Sequence, residues 1–354
     1  MKPQVKTIIQ NTLDWYDRHG RELPWRTKGA AHADPYKVWL SEIMLQQTTV
    51  PAVKPYFEKF TEKYPTVHDL ANASSEDIMR DWAGLGYYSR ARNLHACAKQ
   101  VSAAGGKFPR DKAALMALPG IGDYTAGAIA AIAFGQQASV IDGNIERVLS
   151  RVYAIETPLP ASKPEIKDVA QVIYHSNANT RPHDLPQAFM DLATAICTPK
   201  NPRCVICPIN KQCVAFKLGI QNELPKRAKK AERPKRKGFV YWMTDAKGRV
   251  LVETRAPKGL LGGMTGLPTS DWNDDPQALN GFSGDAEKTT IKHVFTHFEL
   301  TLTMIRVKTK AAPEGYRFVD IEDAGFPSVF KKVSKYFQRS NAAFRSKVPV
   351  KQTR

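Results

Sequence analysis

Four of the five cysteines of this 354-residue chain fall within 17 residues, at Cys197, Cys204, Cys207 and Cys213. They follow a helical stretch with the spacing C-x6-C-x2-C-x5-C. Thr198-Pro-Lys-Asn-Pro-Arg203 cannot continue a regular helix, because each proline removes an amide donor and clashes with the preceding turn. The chain must therefore wrap. The N-terminus, Met1-Lys-Pro-Gln-Val-Lys6, carries charge with no apolar h-region behind it, which argues against secretion and so against disulfides. A metal centre with four thiolate ligands is the natural alternative. Structural zinc commonly uses two close cysteine pairs separated by roughly 12–20 residues. Here one close pair stands alone, and Pro208 follows Cys207 as proline follows a ligand in some ferredoxin runs. The spacing favours an iron–sulfur cluster and leaves zinc open. Cys97, in Leu94-His-Ala-Cys-Ala98, reads as a small core residue on a helix.

The chain has 52 basic and 34 acidic side chains, a net charge of +18. That surplus points to a polyanionic partner, nucleic acid before an anionic membrane surface. It is unevenly spread. Residues 225–238 hold 8 basic and 1 acidic side chains, and residues 331–354 hold 8 and none. Residues 1–224 are net +5 and residues 239–330 net −2. The stretch Pro225–Gly238 has no apolar periodicity, so it reads as a basic linker, with some likeness to a bipartite nuclear localisation signal. The longest near-apolar stretch, Ala126–Gly135, is too short to span a bilayer.

Before the linker, apolar residues recur at helical spacing. Val5–Arg18 is one such segment, and Asp34-Pro35 offers an N-cap and a first-turn proline for a helix through Val50. Further helices are expected near 51–63, 75–83, 89–104, 111–117, 123–134, 142–152, 163–177 and 184–197. After the linker the period changes. Phe239–Met243 and Val250–Thr254 around Ala246-Lys-Gly-Arg249 read as a hairpin, Lys292–Val307 is strand-rich, and Ser328–Phe337 reads as a closing helix. This second part is an α+β domain.

Leu118-Pro-Gly-Ile-Gly-Asp-Tyr124 sets a proline–glycine turn between two short helices. Gly120 and Gly122 permit positive φ and close backbone approach, and the following helix start favours an anion. With Lys107, Arg110 and Lys112 upstream, a DNA phosphate is the expected ligand. Asp142 precedes a helix, so it reads as an N-cap, where amides and the helix dipole favour negative charge. Glu42 is the opposite case. Its helical neighbours are Val38, Trp39, Leu45 and Gln46, a setting that keeps a proton on a carboxyl near neutral pH. One ionised and one protonation-prone carboxyl suit cleavage of a glycosidic bond.

Together, the helix-hairpin-helix, the following aspartate and the four cysteines resemble the endonuclease III superfamily of DNA glycosylases. Leu23-Pro-Trp-Arg26, Ser41-Glu42-Ile-Met-Leu-Gln-Gln47-Thr48 and Gly84-Leu-Gly-Tyr-Tyr-Ser-Arg-Ala-Arg-Asn93 resemble, more narrowly, the MutY-type adenine DNA glycosylases. The resemblance implies a multidomain protein. An all-α helix-hairpin-helix glycosylase domain with an iron–sulfur cluster loop spans 1–224, then the linker 225–238. An α+β Nudix-like domain spans 239–340, and a basic tail 341–354. It further implies monofunctional excision of adenine paired with 8-oxoguanine or guanine in duplex DNA, after the base is flipped from the stack.

By the same resemblance, Glu42 protonates the flipped adenine at N7 and Asp142 stabilises the oxocarbenium-like sugar. Arg26, Tyr124 and Asn144 order the pocket. Gln47, Thr48, Leu85 and Tyr87 engage the duplex where the base has left, with Lys200 and Arg203 on a DNA-contacting cysteine loop that holds a [4Fe-4S] cluster. Lyase relatives place a Schiff-base lysine where Tyr124 stands, so strand cleavage is not expected. Thr296 and His297, within Phe295-Thr-His-Phe298, match the lesion reader, and Gly259-Leu-Leu-Gly-Gly263 supports a Nudix-like domain. Met264-Thr265 departs from the usual Leu-Trp of that loop. A monomer acting on DNA in a bacterial-type cytoplasm, with no membrane partner, completes the expectation. The rivals are a bifunctional pyrimidine glycosylase of the endonuclease III type and a non-enzymatic DNA-binding protein with a structural metal.

Overall fold

The computed structural model describes residues 3–27, 33–229, 232–256, 259–307 and 312–345, with side chains to Ser340. It divides into two units, Met1–Lys229 and Lys230–Arg354. The first unit is helical. Its helices are α1 Val5–His19, α2 Pro35–Leu45, α3 Val50–Lys63, α4 Val67–Asn72, α5 Ser75–Asp81 and α6 Ser89–Ala103. They continue with α7 Lys112–Met116, α8 Asp123–Ile132, α9 Gly143–Tyr153, α10 Lys163–Tyr174, α11 Leu185–Ala195 and α12 Val214–Leu218. Helices α4 and α12, of 6 and 5 residues, are too short to show a period in the sequence. No helix among the described residues is long and apolar enough to cross a membrane.

Local chemistry sets the helix ends that shape the site. Asp34 caps α2 by accepting the Tyr36 amide at 2.9 Å, with Pro35 in the first turn. The helix expected to run through Val50 stops at Leu45 instead. A buried guanidinium explains the stop. Arg90 Nη1 donates to the Ile43 and Met44 carbonyls at 2.9 and 2.8 Å, which frees the chain to turn. Gln47 then takes φ of 59° before α3 begins. Arg90 Nη2 also reaches Thr48 Oγ1 at 3.1 Å and the Leu85 and Gly86 carbonyls at 3.2 and 3.3 Å. One side chain thus ties two loops that lie 40 residues apart in sequence. Helix α8 is buried from Thr125 to Ile132, so it is apolar all round and lies inside the bundle. Trp39, Phe57, Phe60 and Trp82 fill the space beside it with fully buried rings. Cys97 sits in this core, as expected of a small apolar residue.

The second unit holds β1 Lys235–Trp242, β2 Val250–Thr254, β3 Thr265–Gly266, β4 Gly284–Val294, β5 Glu299–Val307, β6 Tyr316–Val319 and α13 Ser328–Arg345. Its two sheets have strand orders β1-β5-β4 and β3-β2-β6. Strand β1 runs parallel to β5, while β4 is antiparallel to it. Helix α13 buries Val329, Phe330, Val333 and Phe337, and Trp242 stacks on Phe337 at 4.9 Å.

The expected hairpin is corrected here. Its turn is real: Asp245 Oδ1 accepts the Lys247 and Arg249 amides at 3.0 and 2.9 Å. Next to the turn the two runs do pair, with Thr244 opposite Val250 and the Leu251 amide donating to the Met243 carbonyl at 3.0 Å, but β1 and β2 then join different sheets. Val240, Tyr241 and Trp242 are all buried, so the second half of β1 has no solvent face. Such a run suits a strand covered on both sides and not a half-exposed hairpin.

The basic stretch is also shorter as a linker than its composition implies. Lys235–Gly238 already belong to β1. At the other end, the Leu159 amide donates to the Lys226 carbonyl at 2.8 Å, and the Ala228 amide to the Leu159 carbonyl at 3.0 Å. Residues 346–354, most of the expected basic tail, lie outside the described residues.

Arg90 gives the first test. Arg90→Met removes the side-chain donor of the Ile43, Met44 and Leu85 carbonyls, while Gly86 keeps Trp82 Nε1, and should lower unfolding stability by about 3 kcal/mol in a denaturant titration. Amide exchange should quicken at Gln46–Thr48 and Gly84–Tyr87 ahead of the rest of the helical unit. Unchanged exchange there would remove Arg90 as the tie between the loops.

Candidate active site

Glu42 lies on α2 with only 8 % of its surface exposed. Burial pushes its carboxyl up to about 7, and the negative charge of Asp142 adds to the rise. The hydroxyl of Tyr124, on α8, hydrogen-bonds the carboxyl and pulls the other way, as does the Arg26 charge. Burial keeps Tyr124 a neutral phenol, well above the ordinary tyrosine range. Glu42 is therefore poised to hold or release a proton near neutral pH.

Asp142 is both an N-cap and a cavity residue. Its Oδ1 accepts the Asn144 and Ile145 amides at 2.9 and 2.8 Å, and its Oδ2 accepts Asn144 Nδ2 at 2.7 Å. Three donors and the positive end of α9 favour negative charge there. A single open cavity of about 680 Å³ is lined by Glu42, Asp142, Tyr124, Asn144 and Arg26 together. Gln47 and Thr48 line the same cavity, as does Gln187 of α11, which has no local sequence signal. The carboxyl that burial raises and the carboxyl that caps α9 thus face one space.

A second row of contacts fixes these groups. Asn144 Oδ1 accepts from Arg147 Nη2 at 3.1 Å, and Arg147 also donates to the Cys197 and Ala193 carbonyls at 2.8 and 3.0 Å. Arg26 Nη1 donates to Asp191 Oδ2 at 2.8 Å. Sequence reasoning missed Arg147 and Asp191, because their partners are distant in the chain.

The helix-hairpin-helix places Gly120 at φ of 77°, and a Cβ there would stand 2.7 Å from Asn93 Cβ. Gly122, at the N-cap of α8, opens to free space. Lys112 is paired with Asp123 at 2.7 Å across this turn. In the loop after α5, Tyr87 is 53 % exposed with φ of 48°, whereas Leu85 is buried at 7 %. Leu85 packs into the core of the helical unit.

All four clustered cysteines line one small cavity of about 20 Å³ between α9, α11 and α12. Arg151 Nη1 lies 3.3 Å from Cys197 Sγ. Among the described residues no three His, Cys, Asp or Glu side chains gather closely enough to hold a single metal ion. Lys200 and Arg203 are exposed on the loop, and Arg203 Nη2 donates to the Ala195 carbonyl at 2.8 Å. Val205 and Ile206, 82 % and 62 % exposed, form an apolar tip that composition does not reveal.

In the second unit, Thr296 and His297 are exposed at the turn joining β4 to β5, closed by the Phe295 amide on the Phe298 carbonyl at 2.9 Å. His297 is therefore a tip residue and not a packed strand histidine. Met264 is buried against this unit's core.

Comparison with known proteins agrees with this geometry. Residues 40–180 match the HhH-GPD superfamily of base excision DNA repair proteins, and residues 239–336 match a NUDIX domain. The human adenine DNA glycosylase is 32 % identical, covering 95 % of this chain and 74 % of its own length. That of Buchnera aphidicola subsp. Schizaphis graminum is also 32 % identical, covering 94 % and 99 %. A thermostable thymine-DNA glycosylase structure aligns with TM-score 0.52 and 30 % identity over 60 % of this chain and 97 % of its own. A non-covalent endonuclease III–DNA complex shares the helical fold, with TM-score 0.50 and 23 % identity over 62 % of this chain and 97 % of its own. Similarity along both units, and not in the helical bundle alone, shows that this chain belongs to the adenine DNA glycosylase family.

Proposed function

We propose that the chain is a monofunctional hydrolase that excises adenine paired with 8-oxoguanine or guanine in duplex DNA. The observation that carries this reading is the shared cavity of Glu42, whose burial raises its carboxyl to about 7, and Asp142, whose two oxygens accept three hydrogen bonds at the start of α9. Adenine enters the cavity only after leaving the stack, at a cost of a few kcal/mol. Glu42 delivers its proton to the base at N7 and makes it a leaving group. Tyr124 orients that carboxyl through its hydroxyl. As the bond from C1′ to the base breaks, its electron pair leaves with the protonated adenine, Asp142 stabilises the positive charge on the sugar, and a water adds at C1′ and loses a proton to leave an abasic site. Asn144 fixes the Asp142 carboxylate by its 2.7 Å amide bond, and Arg26 closes the wall beside Glu42. With Tyr124 at the hairpin there is no amine to form a Schiff base, which separates this reading from a strand-cleaving pyrimidine glycosylase.

Gln47 and Thr48 at the cavity mouth and exposed Tyr87 suit the gap left by the flipped base. Gly120 and Gly122 suit a phosphate, with Lys200 and Arg203 adding positive charge nearby on the cysteine loop. Thr296 and His297, exposed at their turn, suit reading of the opposite base. No oligomer is needed for any of these contacts, so a monomer suffices.

The four-thiol cavity fits a [4Fe-4S] cluster better than one zinc ion, because it is ringed by cysteines that do not close on a single point. Cys197, Cys204, Cys207 and Cys213 would hold it, and it would supply a redox-capable cross-link to the loop.

Glu42→Gln should slow single-turnover adenine release from an 8-oxoguanine:A duplex by about a thousandfold, with duplex affinity retained. Equal rates would remove the acid role. In the parent, the rate should fall as pH rises through about 7, because Glu42 must carry its proton before the step. A rate that climbs across that range would contradict the assignment. Purified protein should contain iron and acid-labile sulfide and show visible absorption, and stoichiometric zinc in a colourless protein would overturn the cluster.

A further inference from the structure

Asp191 is a carboxylate buried within α11, with 1 % of its side chain exposed. It sits behind the cavity wall. Its Oδ2 accepts the Arg21 amide at 2.8 Å and Arg26 Nη1 at 2.8 Å, and its Oδ1 accepts Arg21 Nε at 2.7 Å. Arg21 Nη2 lies 2.6 Å from the same Oδ1. Both guanidinium groups line the cavity that holds Glu42, and Arg26 is itself buried. Arg26 and Asp191 are buried in the wall while Arg21 keeps 34 % of its side chain exposed, and the net charge of the two cations and one anion acts on the acid from there.

We propose that Asp191 is a positioning residue for the acid step: it clamps Arg21 and Arg26 against the cavity wall and screens their charge from Glu42. The proposal rests on the reading of Glu42 as the acid and adds what controls it. The groups that face Glu42 are Tyr124 from α8, Asp142 from the start of α9 and Arg26 from the segment after α1. Behind Arg26 stand Asp191, Arg21 and Tyr16, and beyond Tyr16 stand Asp184 and Arg181. Tyr124 and Tyr16 are neutral phenols, so Asp142 and Asp191 are the anions that offset the cations closest to the acid. Asp142 is committed to the sugar, which leaves Asp191 to balance the arginines. Arg26 draws Glu42 toward its ionised form. An Arg26 stripped of its counter-ion does so more strongly.

The sign of each variant follows. Asp191→Asn keeps the size and removes the charge, so two uncancelled cations favour the Glu42 carboxylate. The alkaline limb of the adenine-release profile should move about one pH unit lower. Arg21→Gln removes one cation and leaves Arg26 fully balanced by Asp191, so the limb should move higher. Asp191→Glu keeps the charge and should hold the limb at the parent's pH even if the rate drops.

The measurement is single-turnover adenine release from an 8-oxoguanine:A duplex across pH, on the full chain, with melting curves for each variant. A limb that stays put or rises in Asp191→Asn overturns the proposal. Should that variant not fold, Arg21→Gln decides, and absence of an upward shift overturns it. A loss of packing alone changes rates without moving the limb in opposite directions. Glu42→Gln run alongside separates the two readings. If it is as fast as the parent, the acid role itself fails; if it is slow while the limbs stay fixed, only the role of Asp191 fails.

Discussion

Helix α9 carries the cavity's anion at one end and two buried guanidinium groups along its side. Arg147 satisfies the Ala193 and Cys197 carbonyls where α11 gives way to the cysteine loop. One turn later Arg151 donates to the Thr198, Pro199 and Leu224 carbonyls at 2.7, 3.2 and 3.0 Å. Burial works against the charge of Arg147, yet the alternative is a set of buried carbonyls with no donor. The arginines therefore act as branched hydrogen-bond donors for an irregular loop that has no regular secondary structure to satisfy it. The cavity's Asp142, the end of α11 and the start of the cysteine loop are all positioned by this one helix.

The two carboxyls owe their difference to how each meets its helix. Glu42 lies mid-helix on α2, where its own helix amides are already bonded, and it finds one hydroxyl and one distant cation. Asp142 lies just ahead of α9, where unbonded amides await an acceptor. The same chemical group thus meets few partners in the middle of a helix and three donors at its start.

Much of this was legible in sequence. The Asp34-Pro35 cap, the apolar frame around Glu42, the capping position of Asp142 and the positive-φ glycine of the hairpin are local signals, and the structure places each as read. Signals that depend on distant partners were not legible. Arg90, Arg147 and Asp191 look like ordinary charged helix residues until carbonyls and guanidinium groups from 40 to 170 residues away close around them. Leu85 shows the same limit from the other side, since a leucine between glycines reads equally well as wedge or core. In the second unit, the apolar run of β1 gave the strand but not its partner. Pairing with β5 is decided by what covers both faces. The basic stretch misled because lysine and arginine are as compatible with an exposed strand start as with a linker.

Arg90 has a mechanical consequence. Its guanidinium bonds Thr48 in one loop and the Leu85 and Gly86 carbonyls in another, so neither loop can shift without straining the same three-way joint. The pair behaves as a single stiff lever with its fulcrum in the core. Exposed Tyr87 and Gln47 at the mouth of the cavity therefore stand beside residues held by one and the same guanidinium.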